Sequence, residues 1–230
     1  MDVVREIDLM LWVSSITFTS FLAYTVQYKI HRKRIEDEVV YKNIQTWIYF
    51  FICKAIGNTF GIINRLYLGE TPNLKVLFDM ISIGFDLSAI TIKVNYLEKT
   101  LKLFERPYLT YFNIITIIIT FITGEALKSN EVVMIIVFIL QVVGFLFLPL
   151  MYLYMIFHSK GPIRRNAIFI LAGLLILEIG LSIQAHNLTV IWPDLPATFQ
   201  EITGISYLYT TPIEIMVGNF LIYKGFIDSF

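Results

Sequence analysis

Four residues with polar or small side chains share one face of an apolar stretch in the first half of the sequence. Lys54, Asn58, Gly61 and Arg65 follow at intervals of four, three and four residues, which is the spacing of one face of a helix. An ionisable group inside a membrane is costly unless it is paired or hydrated, and such groups commonly handle ions, protons or ligands. The two cations and Asn58 are therefore candidate members of a ligand or proton site.

A second polar stripe follows on the next apolar stretch. Asp79, Asp86 and Lys93 recur every seven residues, so they also share one helix face. At about 1.5 Å per residue, Lys54 and Asp86 each lie roughly 15 Å from the start of their stretch, near the middle of a bilayer. If the two helices are adjacent and antiparallel, the stripes meet. We therefore predict two ion pairs, Lys54–Asp86 and Arg65–Asp79.

Two glutamates, Glu178 and Glu214, occupy later apolar stretches that hold no basic residue of their own. Each could be neutral and hydrogen-bonded, or could share the cations of the earlier stripes, and a neutral carboxyl group is a candidate proton site. The alternative is a set of polar contacts that only fixes helix register, as is common in membrane bundles. The predicted buried polar network consists of Lys54, Asn58, Arg65, Asp79, Asp86, Lys93, Glu178 and Glu214.

The composition is typical of a membrane protein. Hydrophobic residues make up 57% of the 230 residues and charged residues 16%, against roughly a quarter charged in soluble domains. The formal net charge of zero gives no reason to expect a nucleic-acid partner. The single cysteine, Cys53, allows neither an intramolecular disulfide nor a thiolate metal site. Without a GxSxG, HExxH or Walker motif, the sequence favours a role other than catalysis and identifies no cofactor.

Seven stretches are long and apolar enough to cross a bilayer, which takes about 20 helical residues. The links between them are short and contain glycine and proline. We therefore predict one all-α domain over residues 1–230, a polytopic bundle of seven transmembrane helices. No basic segment precedes the first stretch, so we expect it to be retained and not cleaved as a signal peptide. The predicted spans are Leu9–Tyr28, Ile44–Leu66, Val76–Tyr96, Tyr108–Thr123, Val132–Phe157, Ile163–Ala185 and Ile202–Tyr223.

The distribution of lysine and arginine predicts the orientation of these spans. Twelve of the 18 basic residues fall in the links 29–42, 99–106 and 160–165 and at Lys224, whereas four fall on the opposite side of the membrane. Positively charged loops stay in the cytoplasm. We therefore predict an N-terminus outside, a C-terminus in the cytoplasm and a multi-pass location in the cell membrane.

The length and the seven predicted spans resemble those of the microbial rhodopsins and the G-protein-coupled receptors. In the rhodopsins, a retinal-linked lysine follows an acid on the last helix by one turn. Here the acid would be Glu214 and the residue one turn on is Gly218, which argues against bound retinal. The receptor motifs also differ, because residues 95–99 read Asn-Tyr-Leu-Glu-Lys in place of Asp-Arg-Tyr, and the seventh span lacks Asn-Pro-x-x-Tyr.

A further resemblance lies at the junction between the third and fourth spans. Residues 96–99 read Tyr-Leu-Glu-Lys and residues 106–110 read Arg-Pro-Tyr-Leu-Thr, which is similar to the corresponding junction of seven-helix sensor-type membrane domains in archaea. This resemblance implies a sensor or receptor role and carries no ligand residue across. Because the chain ends at Phe230, directly after the last predicted span, we expect a signal to pass to a cytoplasmic partner at the basic inner loops.

Two functional hypotheses follow from these features. The first is a seven-helix sensor or receptor-like protein, in which an external ligand, a lipid or a proton changes the packing around the charges on the second, third, sixth and seventh helices. The second is a small transporter or channel that uses the same charges as a substrate or proton path. The lipid bilayer is a partner in both cases, and the sequence leaves the ligand and the oligomeric state open.

Overall fold

A computed structural model of the protein describes residues 3–33, 37–67, 72–123, 131–184, 192, 194–204 and 206–227. Side chains are described for all of these except 3–4, 33, 65–67, 72–73, 131, 181–184, 196 and 207. The chain divides into two compact units, one that combines Met1–Phe18 with Tyr152–Phe230 and one that comprises Thr19–Met151. The single domain over residues 1–230 stays a prediction.

Eight helices account for the regular structure of the described residues. Each of the first six predicted spans matches one of the helices α1 to α6. The seventh predicted span is divided between two helices. The helices are α1 (Val3–Lys33), α2 (Glu38–Tyr67), α3 (Pro72–Leu101), α4 (Tyr108–Ile122), α5 (Glu131–His158), α6 (Gly161–Gln184), α7 (Leu195–Thr203) and α8 (Tyr207–Ile227).

The break within the seventh predicted span lies at Gly204. This residue has a φ of +70°, and its N–H donates to the Gln200 carbonyl at 2.9 Å. Left-handed backbone at the end of a helix costs glycine little because it has no Cβ atom. The prediction that the last span begins at Ile202 is therefore wrong in its boundary, because Ile202 belongs to the short helix α7 and the long helix begins at Tyr207.

Three stretches of the described helices are long and apolar enough to cross a membrane. They are Arg5–Arg32, Glu38–Asn64 and Val132–His158, in α1, α2 and α5. The helix α4 is apolar but has only 15 residues. The helix α3 is as long as α2, with 30 residues each, but Asp79, Asp86 and Lys93 reduce its hydropathy. The composition of these helices is that of a membrane-associated protein, and crossing by all seven spans stays a prediction.

Helices α2 and α3 pack closely as an antiparallel pair within the unit Thr19–Met151. The Ser82 hydroxyl donates to the Gly57 carbonyl at 2.8 Å, and a Cβ atom placed on Gly57 would lie 3.1 Å from the Ser82 carbonyl oxygen. Such an approach needs a residue without a side chain, as in many membrane helix pairs. The absent side chain of Gly57 therefore brings the two polar stripes within contact distance.

Helix α4, which packs against α3, buries its polar side chains and exposes its apolar ones. The Gln141 amide in α5 donates to the Thr120 hydroxyl at 3.1 Å. A helix on the surface of a soluble protein shows the opposite polarity. The buried residues are Thr110, Asn113, Thr116 and Thr120, and the exposed apolar residues include Ile114, Ile115, Ile118 and Ile122. The arrangement suits a hydrocarbon environment.

Helices α6 and α8, in the other unit, meet along residues that repeat every seven positions. We call this contact the glycine seam, formed by Asn166, Gly173 and Gly180 of α6 and by Thr211, Gly218 and Gly225 of α8. A Cβ atom on Gly173 would lie 2.5 Å from the Gly218 carbonyl oxygen. The Thr211 hydroxyl donates to the Gly180 carbonyl at 2.8 Å. The backbones touch directly, which only small residues permit.

Glu98, near the end of α3, caps the first turn of α4. Its carboxylate accepts hydrogen bonds from the Leu109 and Thr110 amides, both at 2.9 Å, and from the Thr110 hydroxyl at 2.6 Å. The first amides of a helix have no partner within the helix, and a negative charge is favoured near them. Glu98 is 3% exposed. The cap therefore fixes the junction between α3 and α4.

Replacing Glu98 should loosen this junction. We expect Glu98→Ala to lower the free energy of unfolding by about 2 kcal/mol, because it removes a helix cap and leaves buried donors without an acceptor. Faster amide hydrogen exchange at Leu109 and Thr110 would localise the loss. Glu105→Ala is the matched control, since Glu105 is exposed in the same turn, and it should change stability by less than about 0.5 kcal/mol. Equal effects of the two variants would contradict the capping role.

Candidate functional site

Lys54 of α2 and Asp86 of α3 form a buried ion pair. The Lys54 ammonium nitrogen lies 3.1 Å from Oδ1 of Asp86, and the two residues are 2% and 6% exposed. The first of the two predicted ion pairs is therefore confirmed. The close approach at Gly57 supports it, because a Cβ atom on Gly57 would lie 3.2 Å from Oδ1 of Asp86.

The surroundings of this pair leave hydrogen-bonding capacity unused. The Asn58 amide nitrogen, one turn along α2 from the ion pair, is buried without an acceptor among the described residues. A buried donor that lacks an acceptor costs about 1–3 kcal/mol. An oxygen-bearing ligand or a change of protonation would therefore alter the energy of this site. We call Lys54, Asn58 and Asp86 the central site.

Lys93 forms a separate arrangement from Asp86. Its ammonium donates to Oδ1 of Asn43 at 2.5 Å and to the Thr46 hydroxyl at 3.2 Å, and it lies 4.3 Å from the centroid of the Trp47 ring. Lys93 is fully buried, and its partners in the described residues are dipoles and aromatic faces, which attract a cation. Seven residues advance about 10 Å along a helix, so Lys93 lies outside the central site.

Asp79 lies toward the other end of the α2–α3 pair. Its carboxylate accepts a hydrogen bond from the Asn64 amide. The predicted partner, Arg65, is placed on α2 by its backbone, but its side chain lies outside the described residues. The contact with Asn64 shows that Asp79 faces α2 at this level too, and the Arg65–Asp79 ion pair stays a prediction.

The two glutamates belong to the unit that contains α6 and α8. Glu214 packs on the glycine seam, where a Cβ atom on Gly180 would lie 2.5 Å from its Oε2, and this oxygen is buried without a donor among the described residues. Glu178 lies two residues before Gly180, which is about 200° around the helix, so its position on α6 is on the side opposite the seam. A network that joins the two glutamates to the central site stays a prediction.

Two features of the structure were missed by the sequence reasoning. The polar face of α4 could have been found from threonine and asparagine at intervals of three and four residues within an isoleucine-rich stretch. The glycine seam could have been found from glycines seven residues apart on both α6 and α8. Both features consist of residues without charge, whereas the site predicted from the sequence rests mainly on ionisable groups.

The described residues define an all-helical protein with apolar helices of membrane-spanning length and a buried ion pair between two of them. In that described part of the chain, no group of three histidine, cysteine, aspartate or glutamate residues is placed to hold a metal ion. No protein-family model, no curated protein and no solved structure matches this sequence or its fold. The function is therefore argued from the residues themselves.

Proposed function

We propose that this chain is a seven-helix membrane protein of the sensor or receptor class, with its N-terminus outside and its C-terminus in the cytoplasm. The α2–α3 pair is its responsive element, and the central site is the group of residues on which a stimulus acts. The observation that carries the proposal is the buried Lys54–Asp86 pair beside the buried Asn58 amide, which has no acceptor among the described residues.

The apolar surface of the described helices supports the membrane part of the proposal. Three stretches have membrane-spanning length and composition, and α4 turns its isoleucines outward while it buries its hydroxyl groups. The predicted cytoplasmic side carries three times as many basic residues as the opposite side, twelve against four, which is the pattern of cytoplasmic loops.

The energetics of the central site support the proposal that the α2–α3 pair responds to a stimulus. A buried ion pair costs much of its attraction in lost hydration, so hydrophobic residues of similar volume would serve stability equally well. An ionisable pair buried within apolar helices is therefore a candidate functional element. Because Lys54 and Asp86 are almost completely buried, the smallest stimulus, a proton on the Asp86 carboxylate, fits the site best. It would cancel the attraction to Lys54 and loosen α2 against α3.

The proposed topology is tested by labelling single cysteines in intact cells. In a Cys53→Ser background, Glu201→Cys should react with a membrane-impermeant maleimide from outside. Lys102→Cys and Lys160→Cys should react only after permeabilisation. All three positions are exposed in the structure, so labelling after detergent treatment is the control for reactivity. Labelling of Lys102→Cys in intact cells would overturn the proposed orientation.

The sensor role is tested on purified protein in liposomes. An environment-sensitive dye on Lys102→Cys, again with Cys53→Ser, should report a change when the external pH is stepped from about 7.5 to about 5.5, because protonation of a paired carboxylate removes its attraction to the cation. Asp86→Asn should abolish this response. Proton flux that is present in the native chain and lost in Asp86→Asn would instead favour the transporter hypothesis. A dye response that survives Asp86→Asn would exclude the central site as the sensor.

A further inference from the structure

The turn between α3 and α4 borders a half-open pocket of about 220 Å³. We call it the headgroup pocket. It is lined by Glu98, Lys99, Lys102, Phe104, Glu105, Arg106 and Pro107. Its volume is several times the roughly 30 Å³ that a water molecule takes in the liquid, which leaves room for a phosphate group. Lys102 has a φ of +50°, so the backbone turns sharply at this residue, which lines the pocket together with Lys99 and Arg106.

The charge of the headgroup pocket favours an anion. Lys99, Lys102 and Arg106 make no ion pair with the described residues. Of the two acids, Glu98 is already bonded to the Leu109 and Thr110 amides. The other acid, Glu105, is exposed. Three cations and two carboxylates thus line the pocket. One of the carboxylates is occupied by the α4 amides, and the remaining excess of positive charge favours a phosphate group.

An exposed apolar stripe starts at the edge of the headgroup pocket and follows α4. Its residues are spaced by three and four positions, so they share one helix face. From the first to the last, the stripe is about 21 Å long at 1.5 Å per residue. One leaflet of the hydrocarbon core is about 15 Å thick, so the stripe is long enough to accommodate an acyl chain. The stripe consists of Tyr108, Tyr111, Ile115, Ile118 and Ile122.

The pocket and the stripe are joined by aromatic residues. Phe104 lines the pocket and is exposed, and its ring lies 6.1 Å from the ring of Tyr108, the first residue of the stripe. Tyrosine side chains such as that of Tyr108 are enriched at the level of lipid headgroups. A soluble anion would use only the basic pocket, whereas a phospholipid would use the pocket and the stripe together.

We propose that the α3–α4 turn binds an anionic phospholipid, with the phosphate in the headgroup pocket and an acyl chain along the α4 stripe. The inference rests on the proposed membrane orientation, which places this turn at the cytoplasmic surface, where anionic lipids attract basic residues. It adds a defined lipid site to the proposed sensor, at the point where Glu98 couples the end of α3 to the start of α4.

The test uses the delipidated full chain in detergent, titrated with phosphatidylglycerol or phosphatidylcholine and followed by native mass spectrometry. We expect phosphatidylglycerol to bind more tightly. The triple variant Lys99→Gln, Lys102→Gln, Arg106→Gln should weaken phosphatidylglycerol binding at least tenfold, since each basic residue near an anionic surface contributes roughly fivefold. The control is a second triple variant, Lys160→Gln, Arg164→Gln, Arg165→Gln, which removes the same charge from exposed positions just before and at the start of α6. It should bind phosphatidylglycerol as the native chain does.

A second variant, Ile115→Ser with Ile118→Ser, tests the stripe and should also weaken lipid binding. Unchanged melting temperatures would show that each variant is folded. Equal losses in the two triple variants would overturn the site as a general charge effect. Displacement of the lipid by glycerol 3-phosphate at equal concentration would overturn the lipid in favour of a soluble anion. The labelling of Lys102→Cys tests the orientation separately, so cytoplasmic labelling without lipid selectivity would overturn only this inference.

Discussion

Asp86→Asn should lower the free energy of unfolding by about 3–5 kcal/mol, the range observed when one partner of a buried ion pair is removed. The substitution leaves the Lys54 ammonium buried beside an amide that cannot offset its charge. Hydration cannot compensate readily, because Lys54 is buried between α2 and α3. Unfolding in mixed detergent micelles, followed by circular dichroism, would measure the change.

The double variant Lys54→Met with Asp86→Leu separates the ion pair from simple packing. Removing both charges together should give a stability close to that of the native chain, or higher by about 1–4 kcal/mol, because the cost of burying charge disappears. Lys42→Met is the control for an exposed pair, since Lys42 contacts Glu38 at 2.5 Å with both side chains more than half exposed. Its effect should be below about 1 kcal/mol. A double variant as unstable as Asp86→Asn would show that the pair contributes through shape.

Gly173→Ala should destabilise the α6–α8 pair by up to about 3 kcal/mol, the upper range for overpacking a close contact. The added methyl group would lie 2.5 Å from the Gly218 carbonyl oxygen and 2.9 Å from the Ile222 amide nitrogen. Both are backbone atoms that cannot rotate away, so the helices must separate. Thermal melting in detergent would measure the loss.

Gly61→Ala is the matched control for this substitution. Gly61 also lies within a helix, but a Cβ atom there would meet only the Ser82 hydroxyl oxygen at 3.4 Å, which is ordinary contact. Alanine is favoured over glycine in a helix by about 1 kcal/mol, so this variant should be neutral or slightly more stable. If Gly173→Ala were equally harmless, the glycine seam would not be a close contact.

Several elements follow from local sequence alone. Hydrophobic runs give the positions of α1 to α6, because a helix satisfies its backbone hydrogen bonds within one stretch of chain. The Lys54–Asp86 pair could be predicted because seven- and four-residue spacing fixes the faces of α2 and α3, and adjacent helices joined by a short link pack antiparallel. The boundary at Gly204 was missed because a glycine in an apolar run reads as a helix residue until its φ is known.

Side-chain partners beyond this one pair depended on tertiary packing. Lys93 shares the face and period of Asp86, yet its partners are Asn43, Thr46 and Trp47, which spacing along α3 could not reveal. Glu214 lies against Gly180 because the glycine seam fixes the register of α6 on α8. Neither the partners of Lys93 nor the partner of Glu214 carries charges that would identify them from the sequence.

The polar stripes of α2 and α3 depend partly on local sequence and partly on tertiary packing. The sequence by itself determined that α2 and α3 each carry charges on one face, since helical period is a local property. The tertiary structure decided how closely the predicted partners approach, because an ion pair depends on distances of a few ångströms, which the small size of Gly57 and the hydrogen bond of Ser82 set here. Tertiary packing also places Lys93 outside the central site. The turn at Lys102 brings its basic residues to the start of the α4 stripe.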